Sequence, residues 1–178
     1  MAHVELKSGL AGIIGLFDKF PETAGPLCEL AQALLRQPSS LTEGERELIA
    51  AYVSSRNECR YCMSTHGAAA KYFLKDKNGE LLNSVFSDYQ NAPISDKMKA
   101  LLKIAGKVQQ GGKNVRDSDV EAACKKGADD KAIHDTVLIA AAFCMFNRYV
   151  DGLSTWQPEG SDIYEERGTI LAEKGYVR

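Results

Sequence analysis

The sequence predicts an all-α protein built as a helical bundle. Apolar residues recur three and four positions apart along most of the 178-residue chain, which is the spacing of one helix face. Residues that start and stop helices bracket these segments, and no segment alternates as a β-hairpin does. The length suits one domain over residues 1–178, with a core at about 20–153 and a C-terminal extension at 154–178.

Four helices are predicted in the first half of the chain. The first begins at Gly25-Pro26, since proline favours the first helical turn, and ends before Pro38. The second follows a capping box formed by Thr42 and Glu45. The others run from Asn57 to about Leu74, and over residues 80–90 after the Asn78-Gly79 turn.

Four more helices are predicted in the second half. Ser95 caps a helix that ends at Gly111-Gly112, and a short one covers Asp117–Lys126. Residues 130–150 form the most apolar helix. After a break at 157–160, the segment SDIYEERGTILAEKG predicts a final helix.

Composition excludes several classes of function. Net charge is −2, from 22 basic and 24 acidic residues, and no basic stripe predicts a nucleic-acid partner. No apolar run approaches the roughly 18–20 residues of a membrane span, and GLAGIIGLF at 9–17 lacks the flanks of a secretory signal. Five cysteines, an odd and low number, argue against a disulfide framework and favour a cytoplasmic, reducing location.

One weak internal similarity directs attention to Glu47. LTEGERELIA at 41–50 matches ISDKMKALLK at 94–103 in character, although capped amphipathic helices often converge on such patterns. The informative mismatch is Glu47 against Ala100, where the first segment carries an extra carboxylate.

The segment NECRYCMSTHG at 57–67 holds the candidate chemistry. On a helix, Cys59 and Cys62 would have Cα atoms about 5 Å apart, within the range that a disulfide needs. The first helical turn favours thiolates, and Cys59, at the very end, is expected to be the more accessible thiol. His66 lies on the same face as Cys62, where an imidazole can accept and return the thiol proton.

Glu47 is the candidate partner that orients His66. On one straight helix Glu47 and Cys59 would be roughly 18 Å apart. The apolar pattern breaks at Arg56-Asn57, however, and a chain reversal there makes an αα-hairpin. Residues 47 and 66 are equally far along the chain from this bend, so they should lie at the same level on the two helices. The sequence therefore predicts Glu47 and His66 side by side, with Cys62 one turn away.

Less specific interpretations stay open at this point. Cys59 and Cys62 could be buried packing residues, and Glu47 could lie on a solvated helix face. Cys59, Cys62, His66 and Glu47 could instead form one mixed zinc site, although structural zinc usually takes two ligand pairs. The remaining cysteines are interpreted as core or boundary residues: Cys28, Cys124 and Cys144.

One pattern joins Glu47, Cys59, Cys62 and His66, with eleven, two and three residues between successive members. This pattern resembles the signature of the alkylhydroperoxidase D-like (AhpD-like) proteins of the carboxymuconolactone decarboxylase superfamily. ERELIAAYVSSRNECRYCMSTHG resembles the branch described as peroxidase-related. The match is strongest over residues 41–74 and extends weakly to PETAGPL and to FNRYVDGL at 146–153.

The resemblance implies an all-helical homo-oligomer that reduces peroxides without a cofactor. Cys62 would be the peroxidatic thiol and Cys59 the resolving one, with Glu47 and His66 as the proton relay. The partners implied are a hydroperoxide and an external dithiol, lipoyl or thioredoxin-like. Tyr61 departs from the best-studied type, which has a histidine between the cysteines, and a phenol cannot act as a base near neutral pH. The alternatives are a lactone decarboxylase and a non-catalytic redox sensor.

Overall fold

Every regular element that the computed structural model describes, over residues 2–177, is helical. The prediction of an all-α fold is therefore confirmed. In chain order the α-helices are α1 Ile13–Lys19, α2 Pro21–Arg36, α3 Glu43–Arg56, α4 Arg60–Leu74, α5 Glu80–Asp88, α6 Asp96–Gln110, α7 Asp117–Lys125, α8 Asp130–Gly152 and α9 Asp162–Lys174. One turn of 3₁₀-helix, Gly112–Asn114, follows α6.

Helices α3 and α4 form the predicted αα-hairpin. The capping box at the start of α3 is present, since Thr42 Oγ1 accepts from the Glu45 amide and Glu45 Oε2 accepts from the Thr42 amide. After α3 ends, Glu58 adopts a left-handed conformation with φ 58°, and this reverses the chain. Cys59 then occupies the N-cap position of α4.

The hydrophobic core lies where α3 packs between α4, α6 and α8. Ten of the 14 residues of α3 are buried, so this helix is surrounded on nearly all sides. Large, fully buried apolar side chains in this core include Phe143, Leu48, Ile49, Leu101, Leu102 and Ile139. A carboxylate on such a helix, as at Glu47, is held inside the protein and must find partners there.

Two boundaries near the N-terminus differ from the sequence prediction. Helix α2 begins at Pro21, four residues before the predicted start, and Pro26 lies inside it. Pro21 already has the backbone angle of a first helical turn, and one interior proline costs a hydrogen bond that the 16-residue helix tolerates. Helix α1, which the sequence does not predict, overlaps the apolar segment at 9–17, and its Leu16 is fully buried.

The C-terminal segment packs closely on the hairpin. Helix α9 lies along α4, and a Cβ atom added at Gly168 would lie 2.4 Å from the Cβ of Ala68. Glycine therefore allows the two backbones to approach. Residues 154–177, predicted as an extension to the core, thus contribute to the region around His66. Within residues 2–177, no helix is both long and apolar enough to cross a membrane.

Candidate active site

Glu47 and His66 meet at the centre of the α3–α4 hairpin. Nδ1 of His66 lies 2.8 Å from Oε2 of Glu47, which is hydrogen-bonding distance. The predicted proximity of these two side chains is confirmed. Because a carboxylate only accepts, Nδ1 carries the hydrogen and donates it, and Nε2 is left as the basic nitrogen of the ring.

Two residues that the sequence did not single out complete the surroundings of Glu47. Arg36 Nη2, from the last turn of α2, donates to Glu47 Oε1 at 2.6 Å. The hydroxyl of Tyr176 donates to the same oxygen at 2.6 Å and lies 3.2 Å from Nδ1 of His66. Glu47 is fully buried, so these donors and His66 replace the water that its charge would otherwise need.

The balance of these effects keeps Glu47 ionised. Burial, the largest effect, would raise the pKa of its carboxyl group. The hydrogen bond and charge of His66, the charge of Arg36 and the hydrogen bond from Tyr176 act in the other direction and together hold the pKa below its ordinary value. Glu47 is therefore a fixed carboxylate that orients the imidazole, rather than a group that takes up the proton itself.

Arg36 and Tyr176 reach the site through tertiary packing. Tyr176 is 110 positions from His66, and its ring is stacked on the imidazole at 6.0 Å with an interplanar angle of 7°. The Arg36 guanidinium lies 5.0 Å from the Tyr176 ring and also donates to the carbonyl of Leu171 in α9. Neither spacing nor local pattern signals these contacts. The one available hint was that a buried Glu47 would need a cation.

Two expectations for Cys59 are wrong. Its side chain is fully buried, whereas Cys62 is 3% exposed, so Cys59 is not the more accessible thiol. Its pKa is raised rather than lowered, because its thiol is hydrogen-bonded to the sulfur of Cys62 and is buried. The physical reason is that Ala11 and Tyr164, from the two ends of the chain, close over the start of α4.

A small internal space, here called the inner cavity, opens beside Cys62. Its volume is about 60 Å³, enough for a few waters or a peroxide group. Cys62 and His66 both line it, and Cys59 does not. The apolar side chains that line it are Ile13, Phe17, Leu27, Ala31, Phe143, Phe146 and Leu171. Of the two paired cysteines, Cys62 is therefore the one whose thiol can meet a molecule in this cavity.

Tyr61, between the two cysteines, is held in its neutral form. Burial raises its pKa to about 12. Its ring packs against Gly12, where a Cβ atom would lie 2.4 Å away, and edge-on against Tyr164 at 6.0 Å. Tyr61 lines the inner cavity and can offer a hydroxyl there, in agreement with the expectation that it is not a base.

The other cysteines and histidines are spread over the molecule. Cys124 is exposed and Cys144 is half-buried, while Cys28 lines the inner cavity. His134 is exposed and bonded to its neighbour Asp135. Across residues 2–177, no three side chains of His, Cys, Asp or Glu converge as metal ligands would, so a mixed zinc site has no geometric support there.

Comparison with known proteins agrees with this architecture. The model of the carboxymuconolactone decarboxylase family matches residues 21–78, which include α2, α3 and α4. No curated protein matches the chain significantly.

Solved structures resemble the fold over most of its length. An uncharacterised peroxidase-related protein from Ralstonia eutropha, described as an alkylhydroperoxidase AhpD core, aligns with a TM-score of 0.77 and 27% identity over 88% of this chain and 80% of its own. An uncharacterised peroxidase-related protein from Silicibacter sp. aligns with a TM-score of 0.75 and 24% identity, over 86% of this chain and 80% of its own. A protein of unknown function from Agrobacterium tumefaciens aligns with a TM-score of 0.66 and 20% identity, over 84% of this chain and 99% of its own. The Silicibacter and Agrobacterium structures, both under 25% identical, support the fold alone.

Proposed function

Because residues 21–78 match the model of the carboxymuconolactone decarboxylase family and the fold is similar to an AhpD core structure, we propose that the chain is an AhpD-like, thiol-dependent peroxidase. It reduces hydroperoxides through a dithiol–disulfide cycle of Cys62 and Cys59. The observation that carries this proposal is the inner cavity, in which the Cys62 thiol and the Glu47-oriented imidazole of His66 line the same space.

The first step oxidises Cys62. The Cys62 thiolate attacks the terminal oxygen of the hydroperoxide, so an S–O bond forms as the O–O bond breaks. The leaving alkoxide takes the proton that His66 removed from the thiol and departs as an alcohol. Cys59 supports this assignment, because the neighbouring sulfur of Cys62 and burial raise the pKa of the Cys59 thiol, which therefore remains protonated during this step.

The later steps return the enzyme to its starting state. The Cys59 sulfur attacks the sulfenic acid of Cys62, an S–S bond forms, and hydroxide leaves with the Cys59 proton as water. An external dithiol, of lipoyl or thioredoxin type, then reduces the disulfide by exchange and is itself oxidised. The protein is proposed to act as a homo-oligomer.

A thiol count by mass tests the cycle. One equivalent of organic hydroperoxide added to reduced protein is expected to remove two thiols and to yield one equivalent of alcohol. Cys62→Ser should abolish turnover, and Cys124→Ser, at an exposed cysteine away from the cavity, is the matched control. Unchanged peroxide together with two persistent thiols would refute the proposal.

Glu47→Gln tests the relay separately from the thiols. The amide has the size of the carboxylate but no charge, so we expect the rate of Cys62 oxidation to fall about 10²–10⁴-fold, the usual scale of general acid–base assistance. A variant with a normal rate would exclude Glu47 from the chemistry.

Two other functions predict different outcomes. A non-catalytic redox sensor would oxidise once and show no steady-state turnover with dihydrolipoamide or a thioredoxin-like donor. A lactone decarboxylase would keep its activity in the Cys59→Ser/Cys62→Ser double variant, since that reaction needs no dithiol.

A further inference from the structure

A groove on the surface leads towards the inner cavity. It lies between the N-terminal segment and α9, has a volume of about 400 Å³, and is here called the outer groove. Its walls are mainly apolar and comprise Leu10, Ala11, Ile14, Ile163 and Ile170. A space of this size and character is suited to the hydrocarbon part of a small organic molecule.

Three side chains separate the outer groove from the inner cavity. Tyr61, Thr65 and Arg167 line both spaces, and they are here called the neck. Since Cys62 and His66 line only the inner cavity, the neck lies between a molecule in the outer groove and the Cys62 sulfur.

Arg167 gives the neck a positive charge. Among the residues of 2–177 that line the inner cavity, it is the only arginine, lysine, aspartate or glutamate. Its charge lowers the pKa of both Tyr61 and Tyr176 against the larger effect of burial, which places the guanidinium near both phenols. Arg36 is paired with Glu47, but Arg167 forms no ion pair with any residue in 2–177. A half-buried guanidinium without an anion is poorly compensated.

Thr65 supplies a second polar group without a partner. Its side chain is 3% exposed, and its Oγ1 approaches the Tyr61 phenol without completing a hydrogen bond of ordinary geometry. A buried hydroxyl in this condition is rare in folded proteins and indicates a position where a ligand atom can bind. Glu166, exposed on the outer groove, disfavours an anion farther out, so the neck is the favoured place for one.

We propose that the preferred substrates are organic hydroperoxides that carry a carboxylate. The hydrocarbon body lies in the outer groove, Arg167 and Thr65 bind the carboxylate at the neck, and the peroxide group enters the inner cavity beside Cys62. Guanidinium and carboxylate groups match in a two-pronged hydrogen bond, and the Thr65 hydroxyl adds a third donor. This inference rests on the proposed peroxidase function.

Stopped-flow oxidation of the reduced protein tests it with three peroxides: hydrogen peroxide, cumene hydroperoxide, and cumene hydroperoxide with a carboxylate on the ring carbon next to the hydroperoxide-bearing side chain. We expect the wild-type protein to react about 10–100-fold faster with the carboxylated compound than with its neutral parent, the scale of a hydrogen bond to a charged group. Arg167→Gln should remove that advantage, so its rate should fall more with the carboxylated compound than with the neutral parent or with hydrogen peroxide. Arg148→Gln, at an exposed arginine on α8, is the matched control.

Equal reactivity of the wild-type protein with both cumene compounds would overturn the inference, and so would an Arg167→Gln variant that slows all three peroxides alike. If the protein reacts with none of them, the peroxidase proposal itself fails. In that case, calorimetry can still measure whether the carboxylated alcohol product binds to Cys62→Ser. This binding should depend on Arg167 and does not require the protein to reduce a peroxide. No binding, or binding unchanged in Cys62→Ser/Arg167→Gln, would contradict the assignment.

Discussion

The imidazole of His66 is held in place through the hydrogen bonds that Glu47 makes. Glu47 Oε1 receives Arg36 and Tyr176, and Oε2 receives His66, so the orientation of the imidazole depends on all three donors. Tyr176 is thus a positioning residue, since it acts on His66 through Glu47 and through ring stacking. Its removal should affect the proton chemistry more than the fold.

Tyr176→Phe isolates the contribution of that hydroxyl. The ring remains, but Glu47 loses one donor, so its pKa should rise and the acidic limb of the pH–rate profile should move to higher pH. We expect the rate of Cys62 oxidation at neutral pH to fall roughly tenfold, the scale of one hydrogen bond to a charged group. Tyr72→Phe, at an exposed tyrosine that contacts Glu173, is the control. An unchanged profile would show that the hydroxyl plays no part.

The low pKa of Glu47 also makes a prediction about acid stability. Its pKa is lower in the folded protein than the ordinary value of about 4.3, so the folded state binds fewer protons in acid. The stability that this provides is complete above about pH 4.3 and is lost as pH falls through the folded-state pKa. The free energy of unfolding should therefore fall less steeply in acid for Glu47→Gln than for wild type. Glu22→Gln, at an exposed carboxylate, should follow wild type; parallel curves for all three would contradict the assignment.

At the level of helices, local chemistry predicts most elements well. The caps Thr42 and Ser95 have the predicted hydrogen bonds, and the reversal near Asn57 is where the apolar pattern breaks. Prediction was poorer at α2, because two prolines both fit a helix start and only packing decides between Pro21 and Pro26. Helices begin where local signals and burial agree, and a single sequence contains only the first of these.

The contact of α9 with α4 depends on Gly168. A Cβ there would lie 2.4 Å from the Ala68 Cβ and 2.7 Å from the Ala69 amide nitrogen, so the two helices would have to separate. We expect Gly168→Ala to lower the free energy of unfolding by about 1–3 kcal/mol, as overpacked cores do. Urea unfolding measures this, and hydrogen exchange should rise in α9.

Gly152→Ala is the matched control, because nothing lies within 4 Å of its added Cβ. It should change the free energy of unfolding by less than about 0.5 kcal/mol. If Gly168→Ala changed the free energy of unfolding as little as Gly152→Ala, the contact at Gly168 would not be what positions α9. The position of Tyr176 after α9 would then need another explanation.

At the scale of the whole molecule, the sequence could predict the hairpin half of the site but not its cover. Glu47, Cys62 and His66 lie within 20 residues of one another, where counting from a bend is sufficient. Arg36 and Tyr176 arrive from α2 and from beyond α9, and the cover over Cys59 comes from Ala11 and Tyr164. These contacts depend on how segments that are distant in the chain pack together, and no local sequence pattern predicts that packing.

That cover predicts the order in which the thiols react. In the native reduced protein, a bulky maleimide should modify exposed Cys124 first, because Cys62 is 3% exposed and Cys59 is fully buried with a raised pKa. Mass spectrometry of peptides after timed labelling measures each site, and denaturant should make the rates similar. A small alkylating agent should narrow the gap for Cys62, which lines the inner cavity, more than for Cys59. Labelling of native Cys59 as fast as Cys124 would mean that the two ends of the chain do not cover the dithiol, and a protein reductant would then reach the disulfide without moving them.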